Sequence, residues 1–358
     1  MTTVVRPACL VTGIVSPYRR EPFRQLAELA NVEVIAHKHA GPPIDGLTVH
    51  RTTESGAVRL AASGRYRAVI AGIDGRLALP GAYAAARARR VPFVLWATIW
   101  AHPRTPAHAL SYLPTRHLYR SADAVATYGS HVSRYVESHR GGRGNIFVAP
   151  QAVDVDRFGA PVPDAERAAA RERAGAGEND VLVLFVGRLV PEKGIETLLD
   201  AWTRADLGSG ARLALAGDGP LERTVAEQAP SARLLGQLAP DDLPALYAAA
   251  DVLVLPSVQT ATFREPWGLV TNEAMLQGTP VVASDAVGAA AGGLVRDGIN
   301  GFVVPAGDPD VLANRIRALV GSPDLRAELG EVARRDAAEL TPSAWASGMA
   351  SALEAAGA

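Results

Sequence analysis

Residues 181–202 have the sequence VLVLFVGRLVPEKGIETLLDAW, which divides into three parts. The first six residues are apolar and have the length of a buried strand. A glycine-containing loop follows, and from Ile195 onward the apolar residues recur with helical spacing. A strand, a glycine loop and a helix in this order indicate an open α/β unit, whose ligand is expected at the carboxyl end of the strand.

Two cations lie in this loop, Arg188 and Lys193. Guanidinium and ammonium groups at the end of a strand are suited to binding a diphosphate. Composition supports a role for Lys193, because the chain has 36 lysine and arginine residues and only Lys38 and Lys193 are lysines. The alternative is that Lys193 is an incidental surface residue.

A second informative stretch is residues 264–274, with the sequence REPWGLVTNEA. Pro266 and Gly268 interrupt any earlier regular structure, and the residues after them have helical character. The backbone N–H groups of Gly268, Leu269 and Val270 are therefore expected to be unpaired donors at a helix N-terminus. Such an end binds phosphate oxygens.

Two carboxylates flank this turn, Glu265 before it and Glu273 near the first turn of the helix. Ionised carboxylates accept hydrogen bonds from hydroxyl groups on either side of a bound diphosphate, one on a sugar and one on a ribose. The alternative is that Glu273 is an acid favoured by the helix dipole and that Glu265 is an exposed loop residue.

Taken together, these motifs resemble those of GT-B fold retaining glycosyltransferases of family 4, the glycosyl transferases group 1 type. The chain carries them in the family's order: the Gly-Arg-x5-Gly loop from Gly187, AGDGP at 216–220, Glu265-x7-Glu273, and SDAVG at 284–288 before Asn300-Gly301. One such motif alone is weak support, and the ordered set is strong.

The resemblance implies an α/β fold with two Rossmann-like domains, whose parallel sheets face a cleft. It implies an acceptor-binding domain at residues 1–160, a nucleotide-sugar-binding domain at 161–338, and a C-terminal helix at 339–358 that crosses back to the first domain. Strand-length segments agree with two such halves. They are 8–15, 32–36, 68–73, 92–97, 124–127 and 145–149 in the first, and 181–186, 212–216, 232–235, 252–256, 280–284 and 301–304 in the second.

Carried onto matching positions, the family's site residues fall into three groups. The donor group is Gly187, Arg188, Lys193, Gly217, Leu238, Glu265, Gly268, Leu269, Val270 and Glu273. The acceptor group is Tyr18, Arg19 and His102, although His102 departs from the commoner pattern, in which the histidine directly follows the strand. The catalytic group is Arg188, Lys193, Glu265 and His102.

The resemblance also implies a mechanism that retains the anomeric configuration of a hexose-type sugar. The donor is a nucleoside diphosphate sugar, with UDP or GDP as the expected nucleotide and backbone near Leu238 beside the base. We expect no cofactor and no metal ion. The acceptor oxygen attacks from the side of the leaving group, and a diphosphate oxygen takes its proton.

Several other classes of protein are alternatives to a glycosyltransferase. A GT-B phosphorylase, a sugar-nucleotide epimerase or a non-catalytic nucleotide-sugar-binding protein would use the same architecture. The sequence contains no feature that favours a purely structural protein. A dinucleotide-binding dehydrogenase is disfavoured because residues 11–17, VTGIVSP, lack the three-glycine fingerprint. The GDGP turn lacks the Lys-Ser or Lys-Thr of a P-loop.

Charge is distributed unevenly between the two halves. The chain has 358 residues, enough for two domains, and its net charge of −1 divides into +10 for residues 1–160 and −11 for residues 161–358. The positive half favours an anionic, lipid-linked or membrane-borne acceptor, with no nucleic acid partner expected. The alternative is that opposite charges hold the domains together or pair with helix ends.

The cellular compartment is predicted from the lack of a recognisable membrane span and signal peptide. No apolar segment approaches the roughly 18 residues of a membrane span, and no signal peptide is recognised at the N-terminus. Cys9 is the single cysteine, so no internal disulfide can form. We expect a cytoplasmic protein, peripheral at the inner membrane face if its acceptor is lipid-linked. The sequence does not indicate an oligomeric state.

Overall fold

The computed structural model describes residues 6–358, which divide into two compact units. The first unit runs to Asp154 and also includes Thr341–Ala358, and the second unit is Val155–Leu340. Among the described residues, each unit is built around a parallel sheet, of seven strands in the first and six in the second. The predicted α/β class with two parallel-sheet domains is confirmed.

Strands and helices alternate along the chain. The strands are β1 (Ala8–Ile14), β2 (Val32–His39), β3 (Val49–Arg51), β4 (Val69–Gly72), β5 (Phe93–Ala97), β6 (Ala124–Thr127), β7 (Ile146–Val148), β8 (Val181–Val186), β9 (Ala211–Ala216), β10 (Arg233–Gly236), β11 (Val252–Leu255), β12 (Val281–Ser284) and β13 (Gly301–Val304). The α-helices are α1 (Arg20–Ala30), α2 (Glu54–Ala61), α3 (Ala78–Arg89), α4 (Pro106–Ser121), α5 (Ser130–Arg140), α6 (Val155–Gly159), α7 (Asp164–Arg173), α8 (Ile195–Ala205), α9 (Glu222–Gln228), α10 (Leu243–Ala249), α11 (Leu269–Leu276), α12 (Gly288–Ala291), α13 (Pro309–Gly321), α14 (Pro323–Ala338) and α15 (Pro342–Ala355).

The strand order in each sheet reverses once. It is β3-β2-β1-β4-β5-β6-β7 in the first sheet, where the reversal lies between β1 and β4. In the second sheet it is β10-β9-β8-β11-β12-β13, and the reversal lies between β8 and β11. Open α/β sheets bind ligands outside the carboxyl ends of the strands at this reversal. Each unit therefore has one such position.

Helix α15 belongs to the first unit and packs on α1, β6 and β7. The Thr341 side chain caps its start by accepting a 3.0 Å hydrogen bond from the N–H of Ala344. Trp345 is fully buried, with its ring 5.4 Å from Phe23 and 5.5 Å from Trp96 between centroids. The predicted return of the C-terminal helix to the first domain is confirmed.

The strands correspond closely to the apolar runs of the sequence, because strands of a parallel sheet are covered on both faces. In β8, residues 182–185 have no exposed surface. All six strands predicted for each half are present, with ends that differ by a few residues at most. β3 was not predicted. Its sequence is Val-His-Arg, and it is a three-residue, partly exposed strand at the sheet edge.

Helix length and composition also bear on membrane insertion. None of the helices that the structure describes combines the length and the apolar character needed to cross a membrane.

Candidate functional site

The carboxyl edge of the second sheet brings the ends of β8 and β11 side by side. β8 ends at Val186 and β11 ends at Leu255. These two strands are hydrogen-bonded neighbours, and the strand order reverses between them. Side chains that follow the two strands therefore meet where an open α/β sheet binds its ligand.

Lys193 and Glu265 come from the two loops at this edge and form an ion pair between Nζ and Oε2. Lys193 ends a short 3-10 helix after β8, and Glu265 lies in the loop after β11. Their side chains are 15% and 9% exposed, respectively. Ser257 donates a 3.3 Å hydrogen bond to the same Glu265 oxygen. The pair is largely buried. Two charges attract each other more strongly in such an environment than at the surface.

Helix α11 begins four residues after Glu265. Gly268 is its N-cap with a φ of +94°, a conformation that favours glycine, and a Cβ there would lie 2.6 Å from Leu255 Cδ2 and displace that side chain. The N–H of Thr271 donates to Gly268 O at 3.0 Å. The N–H groups of Gly268, Leu269 and Val270 have no acceptor among the described residues. They offer three donors, together with the positive end of the helix dipole, to an anion.

Glu273 is the fifth residue of α11 and therefore lies in its second turn. The predicted position was near the first turn. The buried Tyr247 of α10 donates a 2.6 Å hydrogen bond from its hydroxyl group to Glu273 Oε2. Burial raises the pKa of the Glu273 carboxyl, and the Tyr247 hydrogen bond and the charge of Arg157 act in the opposite direction. The site thus contains a largely buried carboxyl that a tyrosine helps to keep ionised.

The remaining predicted residues of the second unit lie in the loops around this edge. A Cβ on Gly217 would lie 1.9 Å from Gly187 O, so the loops after β8 and β9 can meet this closely only with glycine at 217. The Arg188 side chain is 65% exposed, with Nη2 3.4 Å from Glu192 Oε1. Leu238 is half-buried in the loop after β10. Arg188 is therefore the more accessible of the two predicted diphosphate-binding cations.

In the first unit, Tyr18 and Arg19 have different environments. Tyr18 is 38% exposed, whereas Arg19 is 3% exposed. The guanidinium of Arg19 lies 4.6 Å from the ring centre of Trp96 and 5.7 Å from that of Trp345, and it donates a 2.7 Å hydrogen bond to Tyr128 OH. Arg19 thus packs among aromatic rings, and Tyr18 is the better placed of the two to meet a ligand.

His102 lies between β5 and α4, and its described contacts are with residues of α4. Its Nε2 is 2.7 Å from His108 O, and its ring centre is 5.3 Å from that of Tyr112. Because a carbonyl oxygen only accepts, this contact places a proton on Nε2. Nδ1 has no partner among the described residues. The structure does not bring His102 into contact with Tyr18 or Arg19.

Sequence reasoning missed Tyr247 and Ser257, which hydrogen-bond to the two predicted carboxylates. Tyr247 lies in the alanine-containing helix LPALYAA, and Ser257 directly follows Pro256 after β11. Neither residue stands in a recognisable motif. Their roles depend on the folded neighbourhood of Glu265 and Glu273.

A surface pocket of about 1050 Å³ lies elsewhere in the second unit. It is lined by α7 and by the beginnings of β8 and β11. Arg171 crosses it to reach Asp251 at 3.0 Å. Because this pocket is at the amino ends of the strands, it lies at the edge opposite Lys193 and Glu265. Within residues 6–358 no group of three or more His, Cys, Asp and Glu side chains is placed to hold a metal ion.

Comparison with known proteins finds a family match within the second unit. Residues 166–336 match the family Glycosyl transferases group 1. A D-inositol 3-phosphate glycosyltransferase of Geodermatophilus obscurus is 36% identical over 233 residues, covering 60% of this chain and 48% of that protein. The alpha-D-kanosaminyltransferase of Streptomyces kanamyceticus is 32% identical over 185 residues, covering 49% and 45%. The chain spans about half the length of the curated relatives it matches.

Solved structures cover the whole fold. The Anabaena protein HepE, in complex with UDP and glucose, has a TM-score of 0.76 at 22% identity, covering 98% of this chain and 100% of that chain. Sucrose-phosphate synthase from Thermosynechococcus elongatus also has a TM-score of 0.76, at 21% identity, covering 96% and 97%. The chain therefore has the GT-B fold, and the second of its two units contains the part that matches the Glycosyl transferases group 1 family.

Proposed function

We propose that this protein is a glycosyltransferase that moves a sugar from a nucleoside diphosphate sugar to an acceptor hydroxyl group. The observation that carries the proposal is the Lys193–Glu265 ion pair together with the unpaired N–H groups at the start of α11, four residues after Glu265. These groups lie at the strand-order reversal of the unit that contains the family match. A cation and N–H donors suit a diphosphate, and a carboxylate suits sugar hydroxyls.

The donor would bind to the second unit. Arg188, Lys193 and the α11 N–H groups would hold the diphosphate, while Glu265 would accept hydrogen bonds from the transferred sugar. Glu273 would accept them from the ribose. Gly217 allows the loops at this edge to meet, and backbone near Leu238 would lie beside the base. UDP is the first nucleotide to test, with GDP second, since HepE was solved with UDP.

The chemistry proposed is metal-independent transfer of a hexose-type sugar with retention of configuration. As the bond from the anomeric carbon to the diphosphate oxygen breaks, negative charge grows on that oxygen. Lys193, Arg188 and the start of α11 would stabilise this charge. The acceptor oxygen would bond to the anomeric carbon on the same face, and its proton would pass to the departing diphosphate.

The acceptor is assigned to the first unit, with Tyr18, Arg19 and His102 as its proposed residues. Tyr18 is exposed and would contact the acceptor, and His102 would help to orient the transferred sugar. Because Arg19 is buried, it would position Tyr18 rather than contact the acceptor itself. The positive charge of residues 1–160 supports an anionic or lipid-linked acceptor, reached in the cytoplasm at the inner membrane face.

Release of nucleotide from a panel of UDP-sugars and GDP-sugars, in chelator, tests the proposed activity. We expect release that accelerates with an acceptor and yields a product whose anomeric NMR coupling matches the donor. Products formed only with inorganic phosphate would indicate a phosphorylase, and an altered sugar nucleotide would indicate an epimerase. Binding of a nucleotide sugar without turnover would indicate a binding protein.

Tyr247→Phe is expected to move the pH dependence of nucleotide binding to higher pH. The ionised Glu273 carboxylate accepts hydrogen bonds more strongly, and at both oxygens, than the protonated acid does, so affinity falls as the pH drops through its raised pKa. Tyr247 stabilises the ionised form, and its loss raises this pKa further. Affinity measured between about pH 5 and pH 8 tests this. Tyr66→Phe, which removes a 3.2 Å bond to Glu33 in the first unit, is the matched control. Identical profiles for Tyr247→Phe and wild type would contradict the assignment.

A further inference from the structure

The chain's other lysine, Lys38, lies at the carboxyl edge of the first sheet. It is near the end of β2, and its Nζ is 2.5 Å from Oδ1 of Asp74, which lies just beyond β4. Gly13 is in β1, between these strands, where the β1–β2 register shifts. A Cβ on Gly13 would lie 1.8 Å from Asp74 Oδ2 and 3.2 Å from Lys38 Cδ. The ion pair therefore lies against the end of β1.

This position is the strand-order reversal of the first sheet, between β1 and β4. The Lys193–Glu265 pair occupies the corresponding position in the second sheet. Both lysines of a chain that otherwise uses arginine are thus paired with a carboxylate at the place where such a sheet binds its ligand.

A buried histidine without a hydrogen-bond partner, His37, precedes Lys38 in β2. His37 is 7% exposed, and neither ring nitrogen has a hydrogen-bond partner among the described residues. Its Cε1 lies 3.1 Å from the position a Cβ on Gly75 would take, and Glu54 Oε2 lies 2.9 Å from that same position. Buried polar groups normally have a partner, and an unsatisfied one is costly. His37 is therefore a buried polar group at this edge that no described protein group satisfies.

Stability does not account for the pair. The side chains of Lys38 and Asp74 are 50% and 36% exposed, and surface ion pairs of this kind contribute little to folding. Glu54 accepts hydrogen bonds from the N–H groups of Leu77 and Ala78, which hold it beside the pair. One ammonium group therefore faces two carboxylates. A phosphate would be repelled by them, whereas a hydroxyl group donates to a carboxylate and accepts from an ammonium.

We infer that this edge binds a neutral polyhydroxylated ring, a sugar or a cyclitol, through adjacent hydroxyl groups that reach Asp74 and Lys38. The inference rests on the proposed function, in which the donor takes the second unit and this ring belongs to the acceptor. Phosphate or lipid parts of the acceptor would lie outside the cluster, on the arginine-bearing surface of the first unit.

The two lysines allow each site to be observed separately. Protein made with lysine labelled with carbon-13 at Cε should give two lysine side-chain NMR signals, which Lys38→Arg and Lys193→Arg assign. UDP should move the Lys193 signal. With UDP present, a panel of myo-inositol, methyl α-glucoside and methyl α-mannoside should include a member that moves the Lys38 signal in a saturable way. Asp74→Asn should abolish that second response.

Asp123→Asn is the matched control, because Asp123 also pairs with a cation in the first unit, Arg87 at 3.0 Å, but at the amino edge of the sheet. It should leave the response of Lys38 unchanged. A Lys38 signal that no ring of the panel moves, or that inorganic phosphate moves instead, would overturn the inference. A Lys193 signal that ignores every nucleoside diphosphate would instead contradict the proposed function, so the two failures are distinguishable.

Discussion

Replacing Lys193 with methionine is expected to lower kcat/KM for sugar transfer by about 10²–10³-fold, the usual cost of removing one group that stabilises developing negative charge. The Lys193 ammonium lies at the carboxyl edge of the second sheet and pairs with Glu265, which precedes the start of α11 by four residues. Methionine keeps much of the side-chain length and removes the charge. Single-turnover rates with saturating donor measure the effect on the chemical step.

In this experiment, a loss of activity caused by destabilised folding must be distinguished from a loss of catalysis. Lys193→Met leaves the 9% exposed Glu265 carboxylate without its cation, and breaking a buried pair from one side is destabilising. The double variant Lys193→Met, Glu265→Gln removes both charges and restores a neutral pair, so it should regain stability and remain inactive. Arg204→Met removes an exposed cation paired with Asp310 and should keep full activity. Wild-type transfer by Lys193→Met would remove this residue from the mechanism.

Glu273→Gln is expected to weaken nucleoside diphosphate binding by about 10- to 100-fold, the range for losing one hydrogen bond to a charged group. The carboxylate of Glu273 would accept from the ribose hydroxyls, and an amide accepts more weakly and with one oxygen only. The loss should be specific to the ribose. UDP should lose its advantage over 2′-deoxy-UDP in the variant, and calorimetric titration of both nucleotides measures this.

Glu227→Gln serves as the control for this variant. Glu227 is an exposed acid paired with Arg223 at 2.6 Å, and its replacement should leave both affinities unchanged. If Glu273→Gln lowered the affinities for UDP and 2′-deoxy-UDP equally, the ribose assignment would be wrong. Glu273 would then act through the structure of α11 rather than through the ligand.

The sequence was most informative where a local pattern determines the structure. β8 and β13 have the predicted bounds, because a continuous apolar run between turn residues specifies a strand covered on both faces. The loop containing Lys193 and the helix start at Gly268 were predicted for similar reasons, since glycine and proline mark them. β3 was missed because its Val-His-Arg sequence is short and half polar.

What could not be predicted depends on neighbours that are distant in sequence. The contact between Lys193 and Glu265 exists because β8 pairs with β11. No single segment of the sequence determines this strand order. Tyr247 reaches Glu273 from another helix for the same reason. The burial of Arg19 also could not be predicted, because rings as distant in sequence as that of Trp345 enclose its side chain.

Calorimetric titration of the metal-free protein with UDP, GDP, ADP and dTDP tests the central claim most directly, namely that the second unit binds a nucleoside diphosphate through Lys193 and Glu273. We expect one nucleotide to bind saturably, with lower affinity in Lys193→Met and in Glu273→Gln and unchanged affinity in Arg204→Met. Absence of binding by all four nucleotides, or equal affinity in the wild type and both site variants, would contradict it.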